Sequence, residues 1–282
     1  MVLFAIMAFG ATAFGETDPK ISDIFQFDAS KIDVGDVYHY TASDIKGRNG
    51  MDTFVYVKSK DTLVVIKDYK KVANEFYIIN WTFDWNQMMM KHAEAYNPLN
   101  NQKLPNIDIS TVGQMDYQHR KFTYVHIIND QYGKKKNDSG VLNLIRLPNY
   151  DYTFFHFDLQ FAMRFLKSNI KSFKMGNFFF ICNEGSVKYV GNEKVKGIMC
   201  RKYKLRLDGI LAFILNSRGY IWLAKDDPRH YCVKYINYQR RNWTWGDFKL
   251  DLVDIKKMTP AEWDELVAGE IKQANEELDL KQ

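Results

Sequence analysis

The sequence predicts a mainly β protein: one strongly curved antiparallel sheet of about ten strands, forming an open barrel or half-barrel. A short buried helix and a C-terminal amphipathic helix complete the predicted fold. Two observations support this prediction. Strand-like segments follow one another with turn signals between them, and residues 200–208 alternate with a period of two, which is typical of a half-buried strand. Apolar side chains there alternate with cationic ones: Tyr203, Leu205 and Leu207 against Lys202, Lys204 and Arg206.

Turn signals define the strands of the first half. Gly47-Arg48-Asn49-Gly50 contains an Asn-Gly pair, a strong hairpin signal between two strand-like segments. Asn, Pro and Lys at 97–109 predict a connection, and 134–140 reads as a turn. The strands predicted in this half are 37–45, 51–58, 63–67, 75–85, 121–129 and 141–147.

The second half has the clearest strand pattern of the chain, at residues 184–238. Segments 219–225 and 231–238 are rich in aromatic and β-branched residues. They flank Asp226-Asp227-Pro228-Arg229, which suits a tight turn because proline presets φ at its second position. The pattern predicts an antiparallel meander.

Two segments depart from the two-residue period. In 158–167, apolar residues recur at helical spacing, Asp158 is a plausible N-cap, and Phe161 and Phe165 make the segment apolar almost all round. We therefore expect a buried helix that rests on the concave face of the sheet. Thr259-Pro260-Ala261-Glu262 combines a capping box with proline at the first helical position, which predicts a helix at about 260–280 with one apolar stripe.

The run EGSVKYVGNEKVKGIMCRKYKL, the strand GYIWLA and the turn DDPRH resemble part of a known family. They are similar to the C-terminal half of exported bacterial proteins known only as a domain of unknown function. That group resembles the open β half-barrels of periplasmic lipoprotein carriers. The shared signals are Gly197 before a strand and the aromatic strand that enters the turn at 222–229. The resemblance implies a fold and a compartment, and it implies no catalytic residue.

The first fifteen residues, MVLFAIMAFGATAFG, contain no charge and are almost wholly apolar. The run is shorter than the ~20 residues of a membrane helix and typical of the apolar part of a secretory signal. We predict cleavage after Gly15, with Ala11-Thr12-Ala13 as the alternative site. A buried N-terminal strand or helix is the other interpretation. The prediction is an exported or periplasmic soluble protein in which 16–282 form a single β-rich domain and nothing spans the membrane.

The net charge of +5 conceals an asymmetry. Residues 261–282 contain seven acidic and two basic side chains, so the rest of the chain carries a net charge of +10. A basic body suits lipid phosphates, acidic glycans or nucleic acid. Export excludes nucleic acid as a partner, which leaves a lipid or acyl ligand, a glycan or another envelope protein.

The residues contain no recognisable catalytic or metal motif. Asp226, Asp227 and His230 crowd one turn and could do acid–base chemistry, but Asp before Pro is also ordinary turn chemistry. No nucleophile or Gly-rich phosphate loop accompanies them. The cysteines and His230 have no C-x-x-C spacing that would indicate zinc. We therefore expect no enzymatic activity, no cofactor and no metal.

The three cysteines are expected to be free thiols rather than a disulfide. Counting through the predicted turns places Cys200 near the residue opposite Asp226, Cys232 opposite Ala224, and Cys182 opposite Leu207. Cys200 and Cys232 are then about two strands, or roughly 10 Å, apart, which is too far for a disulfide.

The predicted function is a non-enzymatic envelope protein that holds a lipid or acyl chain in the concave face. The alternative is a glycan-binding or scaffolding module that uses exposed aromatic rings or edge strands. Core packing explains many of the aromatic residues equally well, and solvated strand faces often carry a row of cations. The predicted ligand-binding residues are Trp81, Trp85, Tyr203, Trp222, Phe161 and Phe165, and the candidates for an anionic surface are Lys202, Lys204 and Arg206.

Overall fold

The structure is a computed structural model that describes residues 21–47, 50–68, 76–85, 88–96, 110–116, 121–129, 135–143, 153–154, 158–179, 181–207, 218–238 and 248–280. Within these residues, fifteen strands form one sheet. The strands are β1 (Asp36–Ser43), β2 (Met51–Val57), β3 (Thr62–Asp68), β4 (Phe76–Asp84), β5 (Met89–Tyr96), β6 (Ser110–Asp116), β7 (Lys121–Asn129), β8 (Lys135–Asn143), β9 (Thr153–Phe154), β10 (Ser172–Phe179), β11 (Ile181–Val195), β12 (Ile198–Leu207), β13 (Arg218–Ala224), β14 (Cys232–Tyr238) and β15 (Phe248–Lys257).

The strands form two meanders, β1 to β8 and β9 to β15, which meet where β1 lies beside β15. Their order across the sheet is β8-β7-β6-β5-β4-β3-β2-β1-β15-β14-β13-β12-β11-β10-β9. The pairing of β1 with β15 joins the two halves of the chain. Among the described pairs, the short contact of β9 with β10 is parallel and the others are antiparallel. The strands β8 and β9 are the two edges, so the curved sheet does not close into a barrel. This architecture confirms the predicted fold class.

The sequence predicts about ten strands, whereas the described part of the chain holds fifteen. The strands β5 and β6 occupy segments to which the pattern assigned no strand, and β8 begins inside the predicted turn at 134–140. Their sequences, MMKHAEAY, STVGQMD and KKNDSGVLN, are poor in the β-branched and aromatic residues that signal a strand. Hydrogen bonding to neighbouring strands therefore determines their conformation, rather than side-chain pattern.

The turns that the sequence indicates do connect antiparallel strands. β1 and β2 pair across the predicted hairpin, although Arg48 and Asn49 at its tip lie outside the described residues. Lys196 and Gly197 between β11 and β12 both have left-handed φ values, 49° and 84°. Glycine adopts such a φ at no steric cost, which explains its place there.

The sheet has two differently covered faces. We call the face that packs against the 158–165 segment the inner face, and the opposite one the outer face. The alternation of β2 shows the division, because Val55 belongs to the inner core while Phe54 and Tyr56 belong to the outer one. The inner core is the larger of the two.

Two segments cover the inner face: the N-terminal stretch, residues 21–31, and a helical segment at residues 158–165. Helix α1 (Ile21–Ile24) precedes a single 3₁₀ turn at Ala29–Lys31. Helix α2 (Asp158–Ala162) continues as a 3₁₀ turn at Met163–Phe165, and we call residues 158–165 the plug segment. The predicted burial of this segment is confirmed, since Phe161, Met163 and Phe165 are at most 4% exposed.

The C-terminal helix α3 (Pro260–Leu280) confirms the predicted helix and its start. The backbone N–H of Thr259 donates to the Glu262 carboxylate at 2.7 Å, and the backbone N–H of Glu262 donates to the Thr259 hydroxyl at 3.3 Å, a reciprocal capping box. Trp263 stacks on Tyr56 with ring centroids 4.8 Å apart. The helix therefore covers the outer face of the first strands.

Residues 1–15, for which the sequence predicts a cleaved signal, lie outside the described residues. In the part of the chain that the structure covers, no helix combines the length and apolar character needed to cross a bilayer.

Candidate functional site

Five aromatic rings form a cluster between the inner face and the plug segment. Phe83 and Trp85 stack in parallel with centroids 4.7 Å apart. Phe161 lies 6.3 Å from Phe83, and Phe165 lies 5.1 Å from Trp85. Phe27 stacks on Trp85 at 5.9 Å. We call Phe27, Phe83, Trp85, Phe161 and Phe165 the aromatic cluster.

The cluster is buried at its centre and reaches solvent at one point. Phe83, Trp85, Phe161 and Phe165 are at most 8% exposed, whereas Phe27 is 38% exposed. The indole N–H of Trp85 donates to the carbonyl of Lys60 at 2.6 Å, so the polar edge of this ring is bonded and its faces are left for apolar contact. Phe27 therefore marks where an apolar molecule could enter the cluster.

Four of the predicted ligand-binding residues lie in or beside this cluster. Trp85, Phe161 and Phe165 belong to it, and Trp81 meets Phe83 edge to face at 6.4 Å. Tyr203 also faces inward, but from β12, seven strands away from β4 along the sheet. Its ring contacts Tyr189 at 5.6 Å. Tyr203 therefore lines the same face at a distant place.

Trp222, the sixth predicted residue, lies on β13 beside Tyr203 of β12 but points to the other side of the sheet. It pairs with Lys202 on β12 and Lys234 on β14, and both ammonium groups lie over its ring, at 4.9 and 5.5 Å. Strand alternation directs these side chains to the side opposite Tyr203 and Ile221, the outer face, although Trp222 also belongs to the larger buried cluster. Trp222 is nevertheless 4% exposed, because the lysine side chains cover it.

The predicted cationic row of Lys202, Lys204 and Arg206 lies along the outer face of β12. Lys202 forms an ion pair with Glu193 at 2.8 Å, and the indole N–H of Trp222 donates to the same carboxylate at 3.1 Å. Hydrogen bonds from Lys202 and Trp222 hold the pKa of Glu193 below its usual value. Lys202 is therefore engaged within the protein, and Arg206 is the exposed member of the row.

Arg164 lies buried on the inner side and was not predicted as a site residue. It is 3% exposed, and its guanidinium lies over the rings of Phe161 at 5.1 Å and Tyr38 at 5.5 Å. Its Nη1 donates to the carbonyl of Lys31 at 3.3 Å, while the Lys31 ammonium donates to the carbonyl of Arg164 at 3.1 Å. A guanidinium thus sits beside the aromatic cluster.

Other basic groups gather around Arg164. Burial, followed by the positive charges of Arg201 and Arg164, lowers the pKa of Lys31, while Asp28 opposes this shift. Burial likewise lowers the pKa of His230, and Lys31 and Arg201 act in the same direction. Three cationic side chains, Arg164, Lys31 and Arg201, therefore lie near one another at this end of the inner face.

The turn that contains Asp226, Asp227 and His230 serves a structural role. Arg229 donates to both carboxylate oxygens of Asp227, at 3.0 and 2.9 Å, and to Asp36 at 2.9 Å. His230 Nδ1 donates to the carbonyl of Ala224 at 3.0 Å. Asp227 is thus committed to an ion pair. Among the described residues, no group of three or more His, Cys, Asp or Glu side chains is arranged to hold a metal.

Cys200 and Cys232 are buried free thiols, as the sequence predicts. Their predicted partners were wrong by one or two residues: Cys200 pairs with Ala224, and Cys232 pairs with Leu223. Leu207, predicted opposite Cys182, pairs with Gly185. The β-bulge at Trp222/Leu223 contributes to the error for Cys232, because an extra residue in one strand shifts every later pair. A residue count does not reveal such a bulge.

The structure also identifies inner-face residues that the sequence did not single out. Phe83 and Phe27 complete the aromatic cluster, and Arg164 brings a charge beside it. A signal for Arg164 was present, because one arginine in an otherwise apolar helical segment must either reach solvent or be buried with partners. No comparable signal marked Phe27.

No protein-family model matches the chain, and no curated protein matches its sequence. Three solved structures are similar in fold. They are a beta-barrel-like protein of the domain of unknown function DUF1849 from Brucella abortus (8% identity, 78% of this chain and 95% of that chain, TM-score 0.41), the lipoprotein LppX of Mycobacterium tuberculosis (11%, 82% and 91%, 0.27) and a DUF1329 family protein from Desulfovibrio piger (10%, 82% and 90%, 0.28). They are the kinds of protein that the sequence resemblance named. At these TM-scores they carry no argument about function, which therefore rests on the geometry of this chain.

Proposed function

We propose that the protein is an exported, non-enzymatic envelope protein, with 16–282 as one domain, that binds the apolar chain of a lipid or other amphiphile on the inner face of its sheet. The observation that carries the proposal is the aromatic cluster. Its rings come from three separate parts of the chain, the N-terminal stretch, the end of β4 and the plug segment, and it opens to solvent at Phe27. The uncharged first fifteen residues support export.

The plug segment forms one wall of the place that we assign to the ligand. It contributes Phe161 and Phe165, and its backbone bonds to the N-terminal stretch, where Gln26 N–H donates to the carbonyl of Phe165 at 2.9 Å. Lys167 N–H donates to the carbonyl of Ile24 at 3.1 Å. Backbone hydrogen bonds therefore attach the plug segment to the N-terminal stretch.

A glycan-binding module requires exposed aromatic rings. Trp81, Trp85, Trp222 and Trp263 are each at most 8% exposed, so the described tryptophans offer no stacking platform for a sugar. The geometry therefore supports the lipid or acyl ligand better than the glycan.

Quenching by a brominated acyl chain tests the proposal. Bromine quenches tryptophan fluorescence at contact, so a brominated dodecanoate should quench the wild-type protein and lose most of that quenching in Trp85→Phe. Trp222→Phe is the matched control, because Trp222 lies on the outer face. Solvent extraction of the purified protein followed by mass spectrometry identifies any bound lipid. Absence of quenching at tens of micromolar, with no extracted lipid, rejects the proposal.

A further inference from the structure

The plug segment carries two buried polar side chains with unbonded donors. Arg164 is 3% exposed, and its Nε has no hydrogen-bond partner among the described residues. Gln160 is 5% exposed, and its Nε2 also lacks a described partner. Residues four apart lie on the same side of a helical turn, so the two side chains face the same region.

A buried guanidinium needs more than Arg164 receives from the described residues. Arginine has five N–H donors and is always charged, and buried charges are normally paired. The described contacts of Arg164 are the carbonyl of Lys31 and the rings of Phe161 and Tyr38. Among the described residues, no carboxylate forms an ion pair with it, whereas Arg229 pairs with both Asp36 and Asp227.

The surroundings add positive charge rather than neutralising it. Lys31 reaches the carbonyl of Arg164, and Arg201 lies near enough to affect the pKa of Lys31. Asp28 is the carboxylate that acts on Lys31, and its Oδ1 already accepts hydrogen bonds from the backbone N–H and hydroxyl of Ser30. The unbonded donors therefore lie near two further cations, and the nearby Asp28 and Asp36 carboxylates already accept hydrogen bonds from other groups.

We propose that Arg164 and Gln160 bind the anionic head group, a carboxylate or phosphate, of the amphiphile whose chain enters the aromatic cluster. The planar guanidinium suits two-point hydrogen bonding to either anion. Arg164 lies between Phe161 and Phe165 in sequence and over the ring of Phe161, so head group and chain are bound by one segment. This inference rests on the proposed function and specifies its ligand class as anionic.

A comparison of ligands with equal chains tests the inference. Dodecanoate, dodecyl phosphate and uncharged dodecanol are titrated below their micellar concentrations against a fluorescent fatty-acid probe bound to the full chain. We expect the two anionic ligands to bind at least about tenfold more tightly than dodecanol. Arg164→Met should reduce that ratio to near one, while Arg206→Met, which removes an exposed outer-face arginine, should leave it unchanged.

The outcomes separate the inference from the proposed function. Equal binding of dodecanol and dodecanoate by the wild type overturns the anionic preference and leaves the apolar site intact. Binding of acetate or inorganic phosphate alone, lost in Arg164→Met, supports an anion site for a free anion and rejects the lipid proposal. Binding of none of these molecules rejects both.

A second readout is independent of whether Arg164→Met folds. The ¹H–¹⁵N resonance of the Arg164 Nε, assigned with the milder Arg164→Lys variant, should shift when dodecanoate binds the wild-type protein. It should shift much less with dodecanol. An unchanged Nε resonance on saturation with dodecanoate overturns the inference.

Discussion

Arg229 Nη1 donates to Asp36 Oδ2 at 2.9 Å, which joins the turn between β13 and β14 to the first residue of β1. The Asp36 side chain is 5% exposed. Its other contacts are the Lys257 ammonium at 3.4 Å and the Tyr38 hydroxyl at 3.3 Å. One buried carboxylate thus links both sides of the junction between the two halves of the sheet.

Removing the arginine from this pair should destabilise the fold. Arg229→Met leaves the Asp36 carboxylate buried with weaker partners, and loss of one partner from a buried pair typically costs about 3–5 kcal/mol. Because the Arg229 side chain is 24% exposed, we expect about 2–3 kcal/mol, measured as the free energy of unfolding in urea. The control is Asp226→Asn, an exposed substitution in the same turn, which should change the value by less than about 0.5 kcal/mol. Equal effects of the two variants would contradict the role of the pair.

Asp227 should make the fold sensitive to acid. Hydrogen bonds from Arg229 hold the pKa of Asp227 below its usual value. A carboxyl whose pKa is lower in the folded state stabilises the fold above its unfolded pKa of about 4, and that stabilisation is lost as pH falls through the folded pKa. Asp227→Asn should therefore be less stable than the wild type at pH 7, and the two should converge as pH falls through the folded pKa of Asp227. The measurement is urea unfolding between pH 2 and pH 7. A constant difference at every pH would show that the carboxylate charge is not the cause.

Trp222→Phe should lower stability without weakening ligand binding. The substitution removes the indole N–H that donates to Glu193 at 3.1 Å and keeps most of the ring under the lysine side chains. We expect a loss of about 0.5–1.5 kcal/mol in the free energy of unfolding. Probe affinity should stay within about twofold of the wild type, since the ring lies on the outer face. A large loss of affinity would place Trp222 in the ligand site after all.

The two described cysteines should be unreactive in the native protein. Burial raises the pKa of the Cys200 thiol to about 11 and raises that of Cys232 further above its usual value. Because the thiolate is the reactive form, a Cys182→Ser variant should give almost no reaction with a disulfide reagent at pH 8. Two thiols should react after denaturation in guanidinium. Rapid native labelling of either cysteine would contradict its burial.

Several elements could be predicted because their signals are local. Alternation in β12, left-handed glycine at Gly197 and the capping box at Thr259 each depend on a few adjacent residues. The burial of the plug segment followed from Phe161 and Phe165, which leave the segment almost no polar side. For these elements, short-range sterics and hydrogen bonding determine the structure.

Other features depend on contacts between distant parts of the chain. The strand that contains Trp222 is apolar on both sides, so alternation does not show which side faces inward. Lys202 and Lys234, which lie over the Trp222 ring from the neighbouring strands, show that the Trp222 side of this strand faces outward. The bulge beside Trp222 is likewise invisible to residue counting, and it shifts the partner of Cys232.

The sequence by itself determined a curved, mainly antiparallel β protein with a buried helix and a capped C-terminal helix, because periodicity and turn chemistry are properties of neighbouring residues. Only the tertiary structure decided where the aromatic cluster forms. It brings Phe27, Trp85 and Phe165 together, although 58 residues separate the first two and 80 residues separate the last two. It also buried Arg164 against Lys31, 133 residues away. Such encounters are set by strand order and sheet curvature, which no local pattern encodes.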